Sequence, residues 1–476
     1  MVKLKKVLLL NPPADGIYFR DLYHTFSSKA SYVWQPADLL IMSGALGRAF
    51  HITVRDCIGD EMSQTDLVAS LGENTRFDFI ISLTGSITVS EDVKTLSILK
   101  EKFITSKVLV VGDFVREHGK LFLLQNKIID GCILDFTAAN LGDILHNWAK
   151  IEDAQPNYII RKNETILVGK LERTLSPISI FIPHHEKFDI AKYAQPINRN
   201  LPVATVLGGV GCPFSCGFCA QGSIAFRARP PEDIFEEIKF LWELGVREVS
   251  FRDQLMEGNK RNLKQLCSLI IESNIKISWY CNSRADTLTP ELIALMRDAG
   301  CHSVLMGIES ADDGILRELK TRKTSEKTKS TILMLRKARI AVLGYFILGL
   351  PGETKMSIKD TIRYACFLDI DFASFSTPSP DYGTTLRKNA IAQGVIDSGV
   401  ITNTDRSVEI SKLVDGITPT DLIKFRQKAY RSFYFRPRTI FRLTAFLCTR
   451  PYLIGNVWRN FVAMISKQFT SRSSLR

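Results

Sequence analysis

Three cysteines stand close enough in the chain to share one metal centre. They are Cys212, Cys216 and Cys219, in the run Gly211-Cys212-Pro213-Phe214-Ser215-Cys216-Gly217-Phe218-Cys219. Thiolates spaced C-x3-C-x2-C on a short loop can ligate three irons of a cubane cluster. Electron-transfer clusters usually take four cysteines, so three leave one iron open to chemistry. A structural zinc site is the competing reading. Zinc usually draws its fourth ligand from a second pair, and no C-x2-C or H-x3-H follows downstream. Chance clustering is disfavoured because the rest of the ten cysteines are scattered.

The loop needs a scaffold, and the sequence supplies one. It follows the β-branched run Val203-Ala204-Thr205-Val206-Leu207, a strand signal. From 201 to 395, strand signals recur near 205–208, 248–251, 277–281, 303–307, 342–348 and 372–376, with helical periodicity between them. The repeat of roughly thirty residues is that of βα units. Six such units predict a partial parallel barrel with its active residues at the C-terminal ends of the strands. Pro231 followed by Glu232-Asp233 marks a helix start.

Residues 1–148 also alternate strand and helix signals, which predicts an open parallel sheet with helices on both faces. Residues 149–200 read as a connector holding a small hairpin at 158–161 and 165–168, with His184 and His185 as surface loop residues. Ten cysteines in 476 residues is no disulfide framework. The apolar run after Lys5-Lys6 is cut short by Asn11-Pro12-Pro13, so it reads as a buried strand rather than a signal peptide. No stretch reaches the roughly 18–20 apolar residues of a membrane span, and the expectation is a cytoplasmic protein with reduced thiols. The net charge of +12 falls almost wholly between Asp421 and Arg476, within the helical region 396–476. Its aromatics Tyr430, Phe433, Tyr434, Phe435, Phe441 and Phe446 interleave with arginines and lysines. A solvated face over packed aromatics, single-stranded nucleic acid and an anionic membrane surface all suit that pattern.

The cysteine loop, with Phe218 before its last cysteine, resembles the cluster loop of radical S-adenosylmethionine (radical SAM) enzymes. That resemblance implies a [4Fe–4S] cluster whose open iron chelates SAM and cleaves it to a 5′-deoxyadenosyl radical. Rim segments follow in family order. Asp253, in Arg252-Asp253-Gln254, matches the residue that contacts the SAM amino group. Arg284, in Asn282-Ser283-Arg284-Ala285-Asp286, is a further cofactor-binding candidate. Glu309, in Gly307-Ile308-Glu309-Ser310, is placed for the ribose or amino group. Gly349 and Glu353, in Ile347-Leu348-Gly349-Leu350-Pro351-Gly352-Glu353, match a motif near the adenine. The turn Ser376–Thr384 resembles the Pro-x-Pro-Gly-Thr turn of cobalamin-type members, with Asp381-Tyr382 inserted.

Residues 1–148 resemble the cobalamin-binding domain of one radical SAM class through Leu9–Pro13, Gln35–Leu40 and Leu109–Gly112. The D-x-H-x-x-G histidine motif is absent; Asp21-Leu22-Tyr23-His24 has the wrong spacing. The resemblance implies cobalamin-dependent methylation of an unactivated carbon on a small-molecule or lipid-like substrate. Ferredoxin or flavodoxin would supply the electron, and the basic tail would associate with a membrane surface. Radical cyclisation or rearrangement with a vestigial or non-methylating cobalamin domain is the alternative. A nucleic-acid-binding iron–sulfur protein is disfavoured.

Overall fold

The structure is a computed structural model that describes residues 4–469 apart from 23, 48, 173–176, 402–413 and 415. Tyr23 and the tail residues Arg472 and Arg476 lie outside the described residues. The chain divides into two compact units. One comprises residues 1–28, 33–193 and 399–403; the other holds 29–32, 194–398 and 404–476.

The first unit is built on a seven-stranded sheet. Its spatial order is Phe50–Asp56, Lys5–Asn11, Phe79–Leu83, Lys107–Val111, Gly131–Ile133, Tyr158–Lys162 and Thr165–Val168. The first five are parallel and the last two antiparallel. Counted in chain order, the parallel part runs 2-1-3-4-5. Val7–Leu10 and Val108–Val111 are fully buried, as expected of parallel strands covered by helices on both faces. The hairpin read from the sequence as part of a connector extends this sheet instead, because Tyr158 pairs with Ile133 across the ladder. His185 differs from its surface expectation and is wholly buried. Histidine's apolar ring body lets short-range periodicity misplace it.

The second unit is a six-stranded parallel sheet in simple chain order: Val203–Val206, Glu248–Phe251, Ser278–Ser283, Cys301–Glu309, Ala341–Ile347 and Phe372–Ser376. Every predicted strand and helix of this repeat is present within a few residues. Such a sheet leaves its last strand as an open edge, with backbone groups to satisfy. Helix Pro419–Tyr434 covers it. The Tyr434 hydroxyl donates to Ala373 O at 2.8 Å and accepts from Ala373 N at 3.2 Å, and Tyr430 accepts from Phe375 N at 3.3 Å. These tail aromatics therefore belong to the barrel. Helices Pro437–Cys448 and Ile454–Phe469 continue the tail with Ile440, Phe441, Ile454 and Trp458 exposed. Among the described residues, no helix is long and apolar enough to cross a membrane.

Candidate active site

The three cysteines leave the first barrel strand on a loop tied down at both ends. Gly209–Val210 pairs with Arg227–Ala228 and brackets it. Gly211 adopts φ +77°, and a Cβ there would lie 2.6 Å from the carbonyls of Ile224 and Ala225. Glycine is needed on both counts. In the middle of the loop, Gly217 N donates to Leu319 O at 3.0 Å and Gly217 O accepts from Leu386 N at 3.0 Å. Phe218 packs against Ile315, Leu319 and Leu350. The aromatic before the last cysteine is thus the hydrophobic anchor of the loop. Burial raises the Cys212 thiol and pushes Cys219 up to about 12. A bound iron reverses that tendency, since a coordinating thiol is deprotonated, and three soft thiol donors on one loop fit an iron–sulfur cluster.

The barrel rim brings Arg284 to this loop. Its guanidinium lies 3.6 Å from Cys216 Sγ and 3.8 Å above the Phe214 ring. Asp286 holds it by two hydrogen bonds of 3.0 and 2.8 Å, and Thr321 O accepts from it. Asp253 is buried at the end of the second strand and accepts from Gly208 N at 2.8 Å. Burial pushes its carboxyl up to about 7. Glu309 ends the fourth strand where the register shifts, with φ +67°. A left-handed backbone is uncommon outside glycine, and such strain gathers at functional sites. Its carboxylate turns back over Gly307, where a Cβ would sit 2.4 Å from Oε1, and meets Lys323 Nζ at 3.2 Å.

Glu353 does something different. Its Oε2 accepts from Gly349 N at 2.6 Å and Leu350 N at 2.9 Å, and its Oε1 from the Ser310 hydroxyl at 3.3 Å. The carboxylate staples the fifth-strand turn, where Gly349 has φ +96°, to the end of the fourth strand. Burial pushes it up to about 7.

Two buried side chains here escaped the sequence reading. Glu257 gives Oε1 to Ser283 Oγ, Thr287 Oγ1 and Arg284 N, while Oε2 has no partner among the described residues. Gln221, two residues after Cys219, is 2% exposed with both amide atoms unpaired. Unpaired buried polar atoms cost free energy; Gln221 follows the last cysteine of the loop, and Glu257 binds the backbone of Arg284, whose guanidinium meets Cys216. The only available signal was Gln221's place beside the motif; Glu257 carried none.

In the first unit, the carboxyl ends of the strands form a second polar region. A 2-1-3-4-5 sheet binds ligands at the switch between its first and third strands, outside their carboxyl ends. Here Asn11 bonds Asp56 at 2.7 Å, and Arg20, wholly buried, pairs with Asp92 at 2.7 Å. Asp113 accepts from Ser86 N, Ser86 Oγ and Thr25 N at 2.9, 2.7 and 3.0 Å. A Cβ on Gly112 would lie 1.7 Å from Thr84 O, so packing against this chain's own backbone already demands that glycine. The hydroxyls of Thr25 and Thr84 are buried without partners among the described residues. Both adjoin Gly85, whose Cβ would lie 2.6 Å from Thr25 Oγ1. Two unpaired hydroxyls at a strand-order switch fit a ligand bearing hydrogen-bonding groups, as the nucleotide tail of cobalamin does.

The family model of the radical SAM superfamily matches residues 206–365. Residues 206–365 are a radical SAM domain. Radical SAM domains use a [4Fe–4S] cluster and SAM, and the three-cysteine loop lies inside the matched residues. An uncharacterised methyltransferase of Pyrococcus horikoshii is 26% identical over 454 residues, covering 93% of this chain and 95% of its own length. An anaerobic magnesium-protoporphyrin IX monomethyl ester cyclase of Cereibacter sphaeroides is 25% identical over 387 residues, covering 76% of this chain and 61% of its own. The solved radical SAM methyltransferase TsrM of Kitasatospora setae, with cobalamin and a [4Fe–4S] cluster bound, superposes with a TM-score of 0.71 at 14% identity. It covers 98% of this chain and 99% of its own, a likeness of fold.

Proposed function

We propose that this radical SAM enzyme is a cobalamin-dependent methyltransferase that acts on an unactivated carbon of a small-molecule substrate. One observation carries the reading: a three-cysteine loop on a parallel barrel and a 2-1-3-4-5 sheet with unpaired hydroxyls at its switch occur in one chain. The name of the Pyrococcus relative and the fold shared with TsrM support it. When bound, the cluster supplies the electron that cleaves SAM, and cobalamin supplies a transferable methyl group.

The chain's own residues bind and position. Cys212, Cys216 and Cys219 would each hold an iron of the cluster. Arg284 places a fixed positive charge beside Cys216 and buttresses Phe214. Asp253 would receive the amino group of SAM and Glu309 its ribose or amino group, while the Gly349 turn would border the adenine. Glu353 acts on the cofactor through that turn. A second reading, radical cyclisation, is favoured by the Cereibacter relative's name. A lipid-like substrate taken from a membrane surface is supported by the exposed Phe441 and Trp458 beside basic residues on the last two helices. Anaerobic reconstitution with SAM, cobalamin and a reductant tests the proposal. Formation of S-adenosylhomocysteine and a methylated product supports it; 5′-deoxyadenosine with no methylated product moves the assignment to cyclisation.

A further inference from the structure

We propose that a pocket at the end of the barrel opposite the cysteine loop binds a phosphate monoester. It is a cavity of about 250 Å³ under the starts of the last three strands, lined by Arg199, Arg336, Arg339 and Arg442, with Asp371 the carboxylate among its lining residues. The proposal is independent of methyl transfer.

The positive charge in this pocket is not cancelled by the chain. Asp371 is committed: its oxygens lie 2.8 and 3.0 Å from Arg336 Nη1, Oδ2 also accepts from Val342 N at 2.9 Å, and Oδ1 lies 3.9 Å from Arg442 Nη1. The nearby Asp369 is shared among Arg336 at 3.6 Å, Arg438 and Arg442. The Arg199 guanidinium donates to His302 O at 3.2 Å and the Arg199 backbone N to Glu248 at 2.9 Å, while among the described residues neither the Arg199 nor the Arg339 guanidinium forms an ion pair with a carboxylate. Burial first, and then the adjacent Arg450, pull Arg199 below its usual value against the opposing pull of Glu248 and Asp371. Guanidinium groups present planar forks that match phosphate oxygens, and Arg predominates where such anions are recognised.

The rest of the wall is apolar. Phe372 and Phe446 meet edge to face at 6.5 Å, beside Ile197 and Leu443. The pocket therefore offers an anion rim and a hydrophobic flank, which suits a phosphate carrying an organic group. Such a group occurs in soluble phosphate esters and in phosphatidic acid headgroups. Arg442, Leu443 and Phe446 belong to the helix that exposes Ile440 and Phe441, so either source has access.

The test uses the full chain with its cluster reconstituted. Calorimetric titration with sn-glycerol 3-phosphate reads the soluble source. Flotation with phosphatidylcholine vesicles, with and without phosphatidic acid, reads the lipid source. The double variant Arg199→Gln/Arg339→Gln should weaken the observed binding at least about tenfold, the loss of one charge-assisted contact or more. Glycerol phosphate binding lost in the variant supports a soluble ester; binding only to phosphatidic acid vesicles, lost in the variant, supports the headgroup. No binding of either probe, or binding equal in the variant, overturns the proposal. Should the variant fail to fold, shielding of Arg199 and Arg339 in the wild type from phenylglyoxal by either probe decides, and its absence is equally fatal.

Discussion

Glu353→Gln separates a carboxylate that touches the cofactor from one that shapes a turn. Glutamine keeps the shape and an oxygen for the Gly349 and Leu350 amides but removes the titration. Burial raises the folded carboxyl to about 7 from an ordinary 4.5, against the opposing amide bonds. The folded turn therefore holds a proton that the opened turn releases. The stability this contributes is complete below about pH 4.5 and is lost as pH rises through about 7. Linkage between those values gives a loss of about 2 kcal/mol from pH 5.5 to 7.5, or roughly thirtyfold in an opening equilibrium. Hydrogen exchange of the segment 347–354, corrected for intrinsic rates, measures it at both pH values. Wild type should lose that protection and the Gln variant should not. The Gln variant should also retain SAM within a few fold. Glu353→Ala should lose SAM, because it leaves two buried amides unpaired at about 1–3 kcal/mol each. Parallel pH profiles for wild type and Gln, or equal loss of SAM in Gln and Ala, would refute the reasoning.

Replacing Cys212, Cys216 and Cys219 together by Ala should abolish iron binding and 5′-deoxyadenosine formation; iron content and product chromatography check both. Cobalamin retained by the protein should show no histidine nitrogen coupling to cobalt in its paramagnetic resonance spectrum, and Thr25→Val/Thr84→Val should lower retention several-fold without unfolding the first unit. Removal of residues 437–476 should leave the barrel folded and abolish salt-sensitive binding to anionic vesicles, as sedimentation would report. A chain ending near Gly416 also loses Tyr430 and Tyr434, and its barrel should melt at a distinctly lower temperature, since backbone groups of the edge strand lose their partners.

What was legible in the sequence was whatever is written locally. The cysteine spacing and the period of the βα units are short-range features, so the loop and six barrel strands could be read without coordinates. Phe218 before the last cysteine was also visible, although its role as an anchor against Leu319 and Leu350 was not. Contacts across large separations were beyond reach. The hairpin at 158–168 joins the first sheet through pairing that no local pattern encodes. Tyr430 and Tyr434, read from the chain as part of a basic aromatic tail, close the barrel's edge more than fifty residues away. Tertiary structure alone made Glu353 a staple, placed Arg284 on Cys216 and left Gln221 and Glu257 with unpaired polar atoms. The physical reason is that spacing along the chain sets which residues can share a loop, whereas burial and hydrogen-bond partners are set by packing between elements distant in sequence.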